Sequence, residues 1–264
     1  GLLYTNGGQP RDVETLYGET VTLYGDGIYA DNSLLKTGAT KGTDVVAAAA
    51  ALLLLALVIL PDRSRAANLL RAGLLAFLLY AATCLVMGVQ FNRLFLVYVA
   101  QFGAALFALI LTLRQTLRND TFTEALYQKR QTGTGVFLLI SGCSVMVWLS
   151  MILPAVMTGE PMEIIERYTT EPTFVVDLGV ILPAAVFAGV MVFRRKAIGF
   201  QLGSVMMTLL TGVGLCVVFQ TVFQSSLGIA LAPGQIIGLV GSFVCLGAFA
   251  VVLNARLLRY AAKA

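Results

Sequence analysis

Seven stretches of this chain are long, apolar and almost free of charge, and no soluble fold of this size could bury them all. They run over about 45–60, 67–89, 92–113, 136–156, 174–193, 199–223 and 235–257. A helix needs about 20 apolar residues to cross the ~30 Å hydrocarbon core of a bilayer; each run meets that length, the first a little short. Charged residues make up 12% of the chain, against roughly a quarter in soluble domains. The expected fold class is therefore all-α membrane, a seven-transmembrane-helix bundle with the lipid bilayer as its solvent.

Charge fixes the orientation of such a bundle. With seven spans, one set of ends collects thirteen of the eighteen lysines and arginines, among them Arg114, Arg118, Lys129, Arg130, Arg194, Arg195, Lys196 and Arg256. The other set holds five, Arg11, Lys36, Lys41, Arg93 and Arg167. The positive-inside rule then predicts an outside N-terminus and a cytoplasmic C-terminus in a multi-pass plasma-membrane protein. Acids lean the other way, with six up to Asp44 and four between 159 and 173. The linker Arg114–Gly135 is too charged to cross and is expected to lie on the surface as an amphipathic helix. The sequon Asn119-Asp120-Thr121 falls on the cytoplasmic side and is read as chance.

Residues 1–43 are read as an external N-terminal β-hairpin segment, and 44–264 as the seven-helix transmembrane domain. Val13–Tyr29 alternates apolar and polar residues, and Gly25-Asp26-Gly27 is the expected turn between VTLY and IYA. Asp26, Asp31 and Glu19 lack the spacing of a calcium loop and are read as turn and rim residues. The chain starts at Gly1 without a methionine, so a translocated tail implies either a cleaved signal sequence or an upstream segment; both stay open.

Several classes of chemistry drop out. Histidine is absent, which removes bis-histidine haem ligation, most zinc sites and any histidine relay. Cys84, Cys143, Cys216 and Cys245 all lie in apolar runs at no metal or redox spacing. No metal and no cofactor is expected, and basic residues confined to span ends give no nucleic-acid partner. Ser141-Gly142-Cys143-Ser144 has no base near it in sequence, and no catalytic residue is assigned. The last span has no lysine for a retinal Schiff base. CLVMGVQF and CVVFQTVF echo one another too faintly to establish a repeat of three spans.

What remains is a polar cluster near the outer ends. Asp177 is the only acid placed inside a span, and an ionisable residue at membrane depth is a functional candidate by default. Topology brings Arg93, Asn92, Gln90, Thr83 and Gln220 towards its level, with Gln101 deeper in the same cluster. Three readings are open: an Arg93–Asp177 ion pair anchoring the third and fifth spans, a site open to the outer face, or a proton or ion path. Glycines in the last two spans mark close helix contact, Pro183 is expected to kink the fifth span, and Trp148 and Tyr98 are read as packing or interface anchors.

Two segments carry a resemblance. Phe91–Ile110, FNRLFLVYVAQFGAALFALI, resembles an aromatic-Asn-x-Leu-Phe-Leu-x-Tyr-Val-Ala-x-Phe pattern. Val175–Leu202 is similar to a later signature in which Asp-Leu-Gly opens a span that ends in arginines. Both belong to a family of uncharacterised bacterial and archaeal polytopic integral membrane proteins. The tail VTLYGDGIYADN is also similar, although Lys196-Ala197-Ile198-Gly199 stands where the group often has proline and tryptophan. The resemblance implies a fold and a prokaryotic membrane, but no activity. The expected function is thus a non-enzymatic membrane protein, an accessory subunit or a binder of a ligand or partner at its outer face. Its partners would be a larger membrane complex or a lipid or small molecule. A small transporter with a site near Asp177 is the alternative, and a membrane enzyme comes third.

Overall fold

A computed structural model describes residues 1–60, 64–118, 122–230 and 233–261. Pro61-Asp62-Arg63 and the sequon Asn119-Asp120-Thr121 lie outside the described residues. Seven helices are long and apolar enough to cross a membrane: α1 Leu34–Ile59, α2 Arg65–Gly88, α3 Phe95–Arg118, α4 Thr132–Thr158, α5 Pro172–Phe193, α6 Ala197–Ser226 and α7 Ile236–Leu258. The protein is a helical bundle of the multi-pass membrane type.

α6 is the hub. It packs against α1, α2, α5 and α7, while α3 leans mainly on α2, and α4 on α5. Small residues make those approaches possible. A methyl group on Gly42 of α1 would lie 2.3 Å from the Gln220 nitrogen of α6, and one on Gly214 of α6 would lie 2.9 Å from the Phe243 carbonyl oxygen of α7. Such close backbone contact stands in for the hydrophobic drive that a bilayer does not supply between helices. Polar bonds reinforce the α6–α7 seam: Ser204 Oγ donates to Asn254 Oδ1 at 2.7 Å, and Asn254 Nδ2 donates to Thr208 Oγ1 at 2.9 Å.

The first helix departs from its sequence reading. It starts eleven residues before the expected span, at Leu34, because Ser33 caps it by accepting the Lys36 amide at 3.1 Å. Polar Thr37 and Thr40 are buried in this added length. At 26 residues, α1 is about 39 Å long, several ångströms more than a hydrocarbon core. The boundary set between 43 and 44 therefore falls inside a helix, whose first three turns stand above the apolar run.

In the tail, Arg11–Glu14 (β1) pairs antiparallel with Thr20–Leu23 (β2). The turn joins Thr15 to Glu19, with Gly18 at φ +81°, rather than falling at Gly25-Asp26-Gly27. Those two glycines instead bend the chain around the Asp26 carboxylate. It accepts from Thr5 Oγ1 at 2.7 Å and from the amides of Asn6 and Gly7 at 2.8 and 3.0 Å. These bonds, the Thr5 hydroxyl first, hold its pKa below the usual carboxylate value.

The charged linker is no continuous surface helix. α3 runs on to Arg118, a one-turn helix spans Glu124–Gln128, and Phe122 and Leu126 are buried, Phe122 with its ring 6.0 Å from that of Phe200.

Candidate functional site

At the hairpin end of the bundle the described residues sort into three groups, one of which lines an open groove.

The first group surrounds Asp177, which is 5% exposed. Pro183 has no amide proton and crowds the preceding turn. The helix answers with a π turn over Asp177–Ile181, in which the Leu182 amide reaches back to the Asp177 carbonyl. Such bulges insert an extra residue and re-aim side chains. The facing stretch of α4, Val145–Trp148, is a 3-10 segment. The two irregular turns meet, and Trp148 Nε1–H donates to Asp177 Oδ2 at 2.8 Å. The Tyr80 hydroxyl of α2 faces the same carboxylate. Phe174 and Phe243 close over the indole, with ring centroids 5.1 and 6.3 Å away.

Asp177 is thus held by an indole, not by a guanidinium. Arg93 is exposed in the turn between α2 and α3, and neither ion pair among the described residues includes it or Asp177. The Arg93–Asp177 ion pair expected from the sequence does not form among the described residues. Shared depth on two helices did not imply shared azimuth, and α3 packs on α2 rather than on α5.

The second group clamps the acidic loop onto the start of α1. Lys36 Nζ lies 2.8 Å from Glu171 Oε2, with side chains 14% and 16% exposed, and sits over the Tyr168 ring at 5.4 Å. Glu171 also accepts from Thr173 Oγ1 at 2.8 Å. Ser33 Oγ donates to Glu166 Oε2, and the Ser33 amide donates to the Tyr168 hydroxyl at 3.2 Å. Burial pushes the Tyr168 phenol up to about 12 and raises Glu166 above the ordinary glutamate value. The folded pKa of Glu166 lies above its unfolded one, so its contribution is most favourable below pH ~4.5 and is lost as pH rises through the folded value. Glu166→Gln keeps an acceptor for Ser33 and removes the buried charge. It is expected to leave the melting temperature at pH 7 unchanged or raised, with a weaker acid dependence than the wild type; a clear fall at pH 7 would contradict this account.

The third group lines a groove of about 780 Å³ between α1, α2 and α3. α1 and α3 each pack on α2, but they stay apart from one another. Their facing walls are alanines, Ala47, Ala48 and Ala51 on α1 and Ala104, Ala105 and Ala108 on α3, with Leu75, Leu78 and Leu85 of α2 as the floor. At the hairpin end stand Asp44, Tyr29, Tyr98 and Gln101, with residues 1–4 across the top. Tyr29 Oη donates to Asp44 Oδ2 at 2.7 Å. Burial first, and the Asp44 carboxylate second, push the Tyr29 phenol upward, so it stays protonated as the donor. Tyr98 is 5% exposed, and its hydroxyl makes no hydrogen bond among the described residues; Tyr29 and Asn92 are polar neighbours outside hydrogen-bond geometry.

The seven residues expected to cluster are divided among these groups and their surroundings. Gln101 is in the groove wall. Asn92 is spent locally, with Oδ1 accepting the Leu94 amide at 2.9 Å and Nδ2 donating to the Gln90 carbonyl at 3.2 Å. The Gln90 amide donates to Asn32 Oδ1 at 2.9 Å. Thr83 Oγ1 closes on its own helix at the Leu79 carbonyl, 2.8 Å away, and Gln220 Nε2 joins α6 to Thr43 of α1 at 2.9 Å. Sequence reasoning missed Trp148 as the donor to Asp177, and it missed the groove. The alanine run at 47–51 and the Ala104-Ala105…Ala108 spacing were the available signals for the second.

No protein-family model, curated protein or solved structure matches this chain. The functional reading rests on the chemistry of the three groups.

Proposed function

We propose that this is a non-enzymatic multi-pass protein of the plasma membrane that holds an amphipathic ligand, a lipid or lipid-like small molecule, at its outer face. The hairpin end lies outside and the basic end lies in the cytoplasm, a topology supported by the charge asymmetry. The groove between α1, α2 and α3 carries the reading. From Asp44 to Leu54, from Tyr98 to Ala108 and from Leu85 to Leu75 its three walls each cover eleven residues, a rise of about 15 Å along the helix, half the hydrocarbon thickness. A pocket with an apolar body and a few polar groups at one end suits a small molecule, and these dimensions suit one chain from one leaflet.

The non-enzymatic reading is supported by where the hydroxyls go. Ser141, Ser144 and Ser150 donate to carbonyls of their own helix at 3.1, 2.8 and 2.7 Å, which leaves no activated nucleophile among them. Burial of Asp177 under aromatic rings supports an anchoring role over a transport site.

Ala51 and Ala104 face the groove from opposite walls and are both exposed, so phenylalanine at both positions fills the space without touching the core. Protein reconstituted in nanodiscs is titrated with a fluorescent single-chain lipid probe. The wild type is expected to bind about one probe per chain, and the Ala51→Phe/Ala104→Phe variant to lose that binding at an unchanged melting temperature. Equal binding by the two proteins would sink the proposal.

A further inference from the structure

The head of the groove carries more information than its body. Asp44 is a carboxylate at the upper boundary of the apolar part of α1. Among the described residues only its Oδ2 has a protein donor, Tyr29. The Lys41 ammonium and the amino group of Gly1 lie within electrostatic range, yet neither ion pair among the described residues includes Asp44. Lys41 Nζ is instead engaged by Tyr24, whose hydroxyl is 2.7 Å away and whose ring centroid is 4.2 Å away. Opposite Asp44, the Tyr98 hydroxyl is buried without a hydrogen bond, and Gln101 stands one turn further along the same helix face. A half-buried carboxylate in neither of those ion pairs, beside an unsatisfied buried hydroxyl, is an arrangement that a complementary ligand group would relieve.

An ammonium supplies three donors and no acceptor. The groove head offers three acceptors, Asp44 Oδ1, Tyr98 Oη and Gln101 Oε1. An anionic head would meet Asp44 and is excluded by repulsion. An alcohol could use one acceptor but leaves the charge of Asp44 unanswered. We infer that the groove selects a single-chain amphiphile with a primary ammonium head, seated against Asp44, Tyr98 and Gln101. This inference rests on the groove being a ligand site.

The test uses reconstituted full-length protein in nanodiscs of zwitterionic lipid at neutral pH, with the fluorescent single-chain probe displaced by dodecylamine, dodecanol or laurate. Dodecylamine is expected to displace the probe at about one tenth of the dodecanol concentration or less, and laurate to be the weakest. Asp44→Asn should erase the preference for the amine while leaving dodecanol displacement intact, which also shows that the variant is folded. Tyr98→Phe keeps the ring, removes one acceptor, and should weaken the amine about threefold or more. If all three compounds displace the probe equally, the head-group inference is overturned and the groove stands. Retention of the amine preference by Asp44→Asn overturns it in the same way. If no probe binds to the wild type at all, the groove reading itself fails, and this inference fails with it.

Discussion

Trp148→Ala is expected to lower the unfolding free energy in detergent by about 3–5 kcal/mol, among the largest losses any single substitution in this bundle should produce. Two effects add. The indole leaves a void between Phe174 and Phe243, and Asp177 loses its 2.8 Å donor in a place where it is 5% exposed. Trp148→Phe separates them, because it keeps most of the packing and removes only the N–H; its expected cost is about 1–3 kcal/mol. In the Trp148→Phe background, Asp177→Asn should cost less than it does alone, with a coupling of about 1–2 kcal/mol. The same cycle run between Asp177 and Arg93 should show none. Unfolding by a denaturing detergent, followed by far-ultraviolet ellipticity, measures all of these. Trp148 is the single tryptophan of the chain, so its fluorescence in the wild-type background should also shift on Asp177→Asn. An unchanged spectrum together with zero coupling would remove Asp177 from contact with the indole.

The second large effect is expected at the clamp. Glu171→Leu leaves the Lys36 ammonium facing Tyr168 with its carboxylate gone, and should cost about 3 kcal/mol, within the range for breaking a mostly buried ion pair. Replacing both partners, Lys36→Met with Glu171→Leu, should recover most of that loss, since a buried pair and an apolar pair of similar volume are often close in stability. Protease cleavage gives an independent readout. The loop at 159–171 is tied to the start of α1 through Lys36 and Ser33, so Glu171→Leu should make it a faster cleavage site while the helices survive. A double variant as unstable as the single one would mean that the pair does something other than compensate two buried charges.

The failure of the Arg93–Asp177 expectation and the success of the span assignment have one physical origin. Span length and apolarity are properties of consecutive residues, and the bilayer imposes them on each helix separately. Which face a residue presents is set by packing against other helices. Asn92, Arg93 and Asp177 all lie near helix ends, but depth is one coordinate of three. The π turn ahead of Pro183 then rotates Asp177 in a way that no regular helical wheel anticipates. The hairpin turn illustrates the same limit at short range. Gly18 and the Gly25/Gly27 pair all take positive φ, so glycine marked both bends equally well. The strand register, Arg11 opposite Leu23 and Glu14 opposite Thr20, picked the first as the turn.

By itself the sequence determined seven apolar helices, the sorting of basic residues to one set of ends, and the absence of histidine and of metal-ligand spacing. Each is a matter of composition along the chain, and a bilayer converts composition into span directly. Tertiary structure alone decided that α6 is the hub, that Trp148 and not Arg93 meets Asp177, and that α1 and α3 stand apart over α2. That last separation turns two runs of alanine into the walls of a groove and leaves Asp44 and Tyr98 at its head. Small residues permit either close contact or an open space. Only the positions of the other helices choose between the two.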